Sequence, residues 1–311
     1  MNYNSDTIET NGNAKKHVKS KRLKREQLTA YLFIAPQFLG LLCFVLIPAF
    51  MVIILCFSDW DLIGKIDMAG LVNFKNVFED ARLGKSLLNT LIFFAGIVPL
   101  TIVLSFGLAF ITNQNIKGTG FYKSAYFLPM ATASVAVVLV WYWIYAPNIG
   151  IINYVLSIFG ISGPGWLTDS FWARMAIILM CSWQNIGYNY LIFLAGLKNI
   201  PKEYYEAADM DGANSIQKLK SITLPMLSPT TFFILITISI SVLNIFQEPM
   251  VMTKGGPEFS TYTIVAYIYD LAFKFFRMGE AAVVSMVLFI AVIILTAVQF
   301  HFSKRWVYEN D

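Results

Sequence analysis

Six apolar stretches constrain this chain more than any other feature. They run at about 31–57, 87–111, 124–145, 171–196, 230–249 and 279–302. Each is long enough to cross a hydrocarbon core, which takes about 20 residues of helix. Of the 311 residues, 57% are apolar and 14% charged, against roughly 45–50% and 25% in a soluble domain. A soluble fold could not hide that much apolar surface. The balance also excludes a disordered chain, a disulfide scaffold and an ordinary nucleic-acid binder. The fold class is therefore all-α and integral to a membrane, with six transmembrane helices.

The fifth stretch is the least apolar, with Asn244, Gln247 and Glu248 near its end. A further segment, 262–276, carries Asp270 and Lys274 and reads as an interfacial helix rather than a seventh crossing. The first stretch far exceeds the apolar core of a signal peptide, about 7–15 residues. No small-residue cleavage site follows it, so it is expected to stay as an anchor. With the N-terminus in the cytoplasm, fifteen of the 23 Lys and Arg fall on inside segments and eight outside. The positive-inside rule then places both termini in the cytoplasm. The expected organisation is a disordered basic arm at 1–27, a six-helix membrane domain at 28–305 and a cytoplasmic tail at 306–311. The arm's seven basic residues set topology or, alternatively, bind lipid.

The chain offers little for bond chemistry. Cys43, Cys56 and Cys181 sit inside apolar runs and read as buried hydrophobes. His17 and His301 lie far from them, so neither a metal site nor a catalytic residue is expected. Gly84-Lys85-Ser86 looks like the end of a phosphate-binding loop, but the pattern needs a glycine where Glu79 stands. No ATP site and no cofactor is expected on this chain. Ion-coupled carriers keep charged groups near the membrane midplane. Here the stretches are almost free of charge, with Glu248 near the outer end of the fifth. Such a carrier is the alternative from another class; the pattern favours a passage driven from elsewhere.

The longest inside segment, 196–229, decides between them. It reads as two short helices around a sharp turn. Pro201 suits a first helical turn, where its missing N–H costs nothing, and Glu203 and Glu206 suit a positive helix start. Gly212 can take the left-handed conformation that ends a helix, Ser215 can cap the next, and Pro225 is expected to stop it. Ala207, Ala208 and Ala213 would let another surface approach closely. A linker folded back on the bundle is the alternative.

These residues carry a resemblance. Glu206-Ala207-Ala208 is followed after three residues by Gly212, after nine more by Ile222 and after one more by Leu224-Pro225. This resembles the EAA signature of permeases in binding-protein-dependent ABC importers. Asp211 and Ala213 fit the fuller pattern, and Leu219 stands where the family often has Phe. Thr253-Lys254-Gly255-Gly256-Pro257 and the run from Trp183 to Glu206 are similar to the MalF/UgpA-like carbohydrate permeases. The resemblance spans about 28–305. It implies a type I ABC importer permease core in a prokaryotic cytoplasmic membrane. It implies a second homologous permease, two ABC ATPases that hold the ATP sites, and an extracellular solute-binding protein. It also implies that Glu206, Ala207, Ala208, Asp211, Gly212, Ala213, Ile222, Leu224 and Pro225 dock an ATPase, Glu206 through an ionic contact. The implied solute is a carbohydrate, most simply an oligosaccharide, with glycerol-phosphate or another polar metabolite as the alternative.

A carbohydrate passage needs amides, hydroxyls and aromatic rings inside the bundle. Asn185, Tyr188 and Asn189 share one helical face of the fourth stretch, beside Trp183 and Gln184. Asn244, Gln247 and Glu248 follow at similar spacing in the fifth. Polar groups in lipid must face protein or water, so these line the substrate path or glue helices together. The family match adds Ser134 to the path. Trp141, Trp143, Tyr145, Trp166 and Trp172 are expected in an interfacial aromatic belt.

Overall fold

The computed structural model describes residues 26–114 and 119–308. The expected basic arm lies outside them up to residue 25, while Glu26 and Gln27 already belong to the first helix. The chain divides into two compact units, Met1–Ile54 and Leu55–Asp311. The described part of the first lies in helix α1 (Glu26–Leu55), which is 30 residues long and apolar enough to span a bilayer. A π-turn at Leu42–Leu46 interrupts it just before Pro48, which has no N–H to give to the helical ladder.

The second unit opens with a two-strand ribbon, β1 (Ser58–Asp59) antiparallel to β2 (Asp67–Met68). Helix α2 (Val72–Glu79) leads through Asp80 into α3 (Ala81–Thr112). The Asp80 carboxylate accepts from the Arg82 backbone N–H, which satisfies one orphan donor at the helix start. Helix α3 packs along α7 (Ser170–Lys198), and α10 (Ser228–Leu243) lies against both. Phe93, Ile97, Ile177, Met180, Tyr190 and Phe193 are wholly buried in two clusters along this trio.

Helices α1, α3 and α13 (Met278–Ser303) are long and apolar enough to cross a membrane by themselves. Helix α7 is comparably long at 29 residues, but Gln184, Asn185 and Asn189 dilute its apolar character. A helix walled in by protein needs no continuous lipid-facing surface.

Two expected crossings are broken. The third divides into α4 (Thr119–Ala131) and α5 (Ser134–Ile144), bent by 98°. Neither half could cross a bilayer alone. Ala133 is extended at φ −56° and ψ 123°, and Pro129 withholds an N–H from the last turn of α4. The fifth ends at Leu243, and the chain restarts as α11 (Gln247–Thr253) after Asn244–Phe246. Pro249 falls in the first turn of α11, where no N–H is needed. At its other end, α10 is bent by 61° from α9 (Ser215–Met226).

The segment 262–276 is largely packed into the second unit. Helix α12 (Ile264–Tyr269) packs against α3 and α13, and Tyr262, Ile264, Tyr267 and Leu271 are buried. The tryptophans do not form a uniform belt. Trp143 is exposed, but Tyr145 and Trp166 are core. Trp166 donates to Asn153 Oδ1 at 2.8 Å and packs on Tyr145 and Trp172.

Helix α4 meets α7 at Gly187, where a Cβ would overlap the Tyr126 carbonyl. Small residues permit such close backbone approach between membrane helices. After α13, Trp306 packs on Phe232, and the Tyr308 N–H donates to Ser228 Oγ at 2.8 Å. The start of the expected tail thus folds back on α10; residues 309–311 lie outside the described residues.

Candidate functional site

The loop at 196–229 is built as a helix, a left-handed turn and a second helix. Pro201 sits at the N-cap of α8 (Lys202–Met210), extended at φ −60° and ψ 138°. Asp211 closes this helix, and Gly212 follows at φ +75°. The Gly212 N–H reaches Asp209 O at 3.1 Å, and the Ala213 N–H reaches Ala208 O at 2.9 Å. This pair of bonds is the Schellman motif, which glycine adopts without a Cβ penalty.

The next helix is capped by Asn214, one residue before the expected Ser215. Asn214 Oδ1 accepts from the N–H groups of Ile216 and Gln217, and Gln217 Oε1 accepts from the Asn214 N–H at 2.7 Å. This reciprocal box satisfies two orphan donors, which a lone serine would not. Pro225 does not stop the helix. Leu224 keeps helical geometry at φ −64° and ψ −45°. A π-turn at Leu219–Thr223 widens the coil just before the proline, and the true break comes at Leu227–Ser228.

Glu206, Ala207, Asp211, Gly212 and Leu224 are exposed, and Ala208, Ala213 and Pro225 are half-buried. Ile222 instead packs inward against the cluster of Tyr190, Phe193 and Leu197, so it roots the loop in the bundle. Met210 and Ile216, two exposed apolar side chains flanking the turn, were not singled out by the motif.

A second site lies in the membrane domain. A cavity of about 350 Å³ is lined by Asn185 of α7 and by Asn244, Gln247 and Glu248 around the break after α10. The break carries the group: a continuous helix would hold Asn244 and Gln247 in one register, whereas the irregular turn folds them round the cavity. Asn185 and Asn244 donate to backbone carbonyls of Cys181 and Ile240, both at 2.8 Å, which leaves their side-chain oxygens as acceptors. Gln247 Nε2 is a buried donor with no partner among the described residues. Phe246, absent from the sequence reading, also lines the cavity.

The other expected path residues lie elsewhere. Gln184 Nε2 donates to Ser134 Oγ at 3.4 Å, which links α7 to α5. Asn189 is buried and donates to Asn185 O at 2.8 Å, while Tyr188 is exposed and does not line the cavity.

The segment after α11 takes positive φ at Lys254, Gly255, Glu258 and Phe259. Asn89 Nδ2 donates to Phe259 O and Tyr262 O, and Arg174 Nε donates to Ser260 O at 2.8 Å. These two side chains replace the backbone ladder that such a loop cannot make for itself. Sequence reasoning missed both, because their partners lie 86 positions or more away.

Residues 101–307 match the family described as "Binding-protein-dependent transport system inner membrane component". The chain is 37% identical over 298 residues to the "Probable ABC transporter permease protein YesP" of Bacillus subtilis, covering 94% of this chain and 96% of the relative. It is 34% identical to the "Lactose transport system permease protein LacF" of Rhizobium radiobacter, covering 89% and 95%. It is 33% identical to the "sn-glycerol-3-phosphate transport system permease protein UgpA" of Agrobacterium fabrum, covering 91% and 97%. Its fold matches a chain from a bacterial ABC transporter involved in the import of the acidic polysaccharide alginate, with a TM-score of 0.79. That match is 23% identical and covers 92% of this chain and 98% of the other. The chain therefore belongs to the binding-protein-dependent transport system inner membrane components, the permease subunits of bacterial ABC importers.

Proposed function

We propose that this chain forms one half of a carbohydrate passage and is driven by a cytoplasmic ATPase docked on the loop at 196–229. Six crossings, α1, α3, the bent pair α4–α5, α7, α10 and α13, leave both termini in the cytoplasm. A second homologous permease, two ABC ATPases and an extracellular solute-binding protein complete the importer. The exposed face of α8, with Glu206, and the turn at Gly212 meet the ATPase.

The observation that carries the substrate reading is Gln247 Nε2, a buried donor without a partner among the described residues, on a cavity that also presents the Asn185 and Asn244 oxygens. A buried donor left unmatched costs about 1–3 kcal/mol. Sugar hydroxyls both donate and accept, and Phe246 offers a ring to their C–H faces. Relatives are named for lactose and for sn-glycerol-3-phosphate. Among the described residues no Lys, Arg or His lines the cavity, so a phosphate would be buried there without a counter-charge, whereas a neutral oligosaccharide carries no charge to bury.

The test is substrate-stimulated ATPase activity of the reconstituted importer. Neutral oligosaccharides are expected to stimulate it and glycerol-3-phosphate to leave it at its basal rate. Stimulation by glycerol-3-phosphate alone would sink the carbohydrate reading.

A further inference from the structure

A second cavity, of about 380 Å³, opens where α3 and α7 end and α4 and α8 begin. Lys123, Lys198 and Lys202 line it over a floor that includes Leu194 and Leu197. Its lining has no acidic residue, and among the described residues none of these lysines forms an ion pair. Lysines elsewhere do: Lys218 holds Asp209 and Lys274 holds Asp270, both at 2.6 Å. Three like charges on one cavity repel one another, and among the described residues no acidic side chain on its lining offsets them. Glu203, in the first turn of α8, complements the positive end of that helix but does not line the cavity.

Position selects the anion. Helix α3 leaves its apolar run at Thr112 and α7 ends at Lys198, and Thr112 and Lys198 both line the cavity. The cavity therefore sits at the depth where lipid headgroups begin. We propose that it binds the phosphate of an anionic phospholipid, such as phosphatidylglycerol. The three lysines clasp the phosphodiester, and Leu194 and Leu197 meet the first carbons of the chains. Lys202 and Tyr205 line the cavity from α8, so a lipid held here braces the root of the loop against the bilayer. The inference rests on the membrane placement given above, and on no transport step.

The purified importer, carrying the full chain, is titrated in detergent with phosphatidylglycerol, phosphatidylcholine or inorganic phosphate. Retained lipid is counted by native mass spectrometry, and thermal midpoints are recorded beside it. Phosphatidylglycerol is expected to stay bound and phosphatidylcholine to be lost. Retention should fall roughly fivefold for each lysine replaced in Lys123→Gln, Lys198→Gln and Lys202→Gln. Lys220→Gln, an exposed lysine of the loop outside the cavity, should retain the lipid. Equal retention by the wild type and the triple variant would overturn the proposal. So would thermal protection by inorganic phosphate equal to that by phosphatidylglycerol, which would make this a site for soluble anions. If the triple variant does not assemble, the single variants give the same reading. Binding is counted without transport, so a complex that imports no sugar still yields a result.

Discussion

Tyr205 and Thr223 meet hydroxyl to hydroxyl at 2.9 Å, joining α8 to the π-turn of α9. The contact spans the turn at Gly212 and closes the two arms of the loop into one body. Tyr205 also packs by its ring against the buried cluster around Tyr190. Tyr205→Phe keeps the ring and removes the bond, at a cost of about 1 kcal/mol. The expected result is faster amide exchange across α8 and weaker substrate stimulation of the ATPase, with basal hydrolysis unchanged. Unaltered exchange would mean that ring packing alone holds the arms.

Gly212 separates strain from docking. An added Cβ meets nothing within 4 Å, so the cost within this chain comes from φ +75°. That cost is roughly 1 kcal/mol for alanine and less for asparagine. Gly212→Asn should assemble and transport, whereas Gly212→Asp should assemble and fail to transport. Glu206→Lys should reduce the ATPase that copurifies, by charge reversal. Normal uptake and full ATPase retention in Gly212→Asp and Glu206→Lys would show that another element couples the ATPase.

Gly187→Ala tests the close approach of α4 and α7. The Tyr126 carbonyl is backbone and cannot swing aside, so overpacking should cost about 1–3 kcal/mol. Gly107→Ala in α3, where nothing lies within 4 Å, is the matched control. Thermal midpoints should fall for the first and hold for the second.

Gln247→Met removes a buried donor that has no partner among the described residues. Thermal stability without substrate should hold or rise, because no hydrogen bond is lost. Substrate-stimulated ATPase activity should fall by about tenfold, the effect of one lost hydrogen bond in a water-excluded site. Unchanged stimulation would mean that the cavity is not on the substrate path.

Asp80 predicts how the start of α3 responds to acid. Burial opposes its ionisation, but bonds from the Arg82 side chain and backbone and from the Tyr267 hydroxyl outweigh it and hold its pKa down to about 2, from 3.8. A carboxylate depressed on folding stabilises above its unfolded pKa and loses that contribution as pH falls through the folded value. The thermal midpoint should therefore drop between about pH 4 and pH 2 in the wild type. Asp80→Asn should begin lower and lose less over that interval.

Local chemistry could be read directly. Apolar run length placed α1, α3 and α13, because a bilayer core demands about 20 residues of apolar helix. Gly212 was readable as a left-handed stop, because glycine alone has no Cβ to clash there. The outward residues of the loop followed from a motif whose spacing is contained in one segment.

Features that depend on distant partners were not readable in that way. Pro225 looks like a helix stop, yet a π-turn five residues long absorbs its missing N–H. Trp166 looks like an interfacial anchor, yet Asn153 and Tyr145 draw it into the core. Asn185 and Gln247 lie on different helices, and one cavity unites them because the chain breaks after Leu243. The sequence by itself determined which segments are apolar enough for a membrane and where the loop turns, because apolar length and backbone preference act within a few residues. Tertiary structure alone decided which polar groups face one another, because burial and hydrogen bonding are settled by neighbours that the chain brings together only on folding.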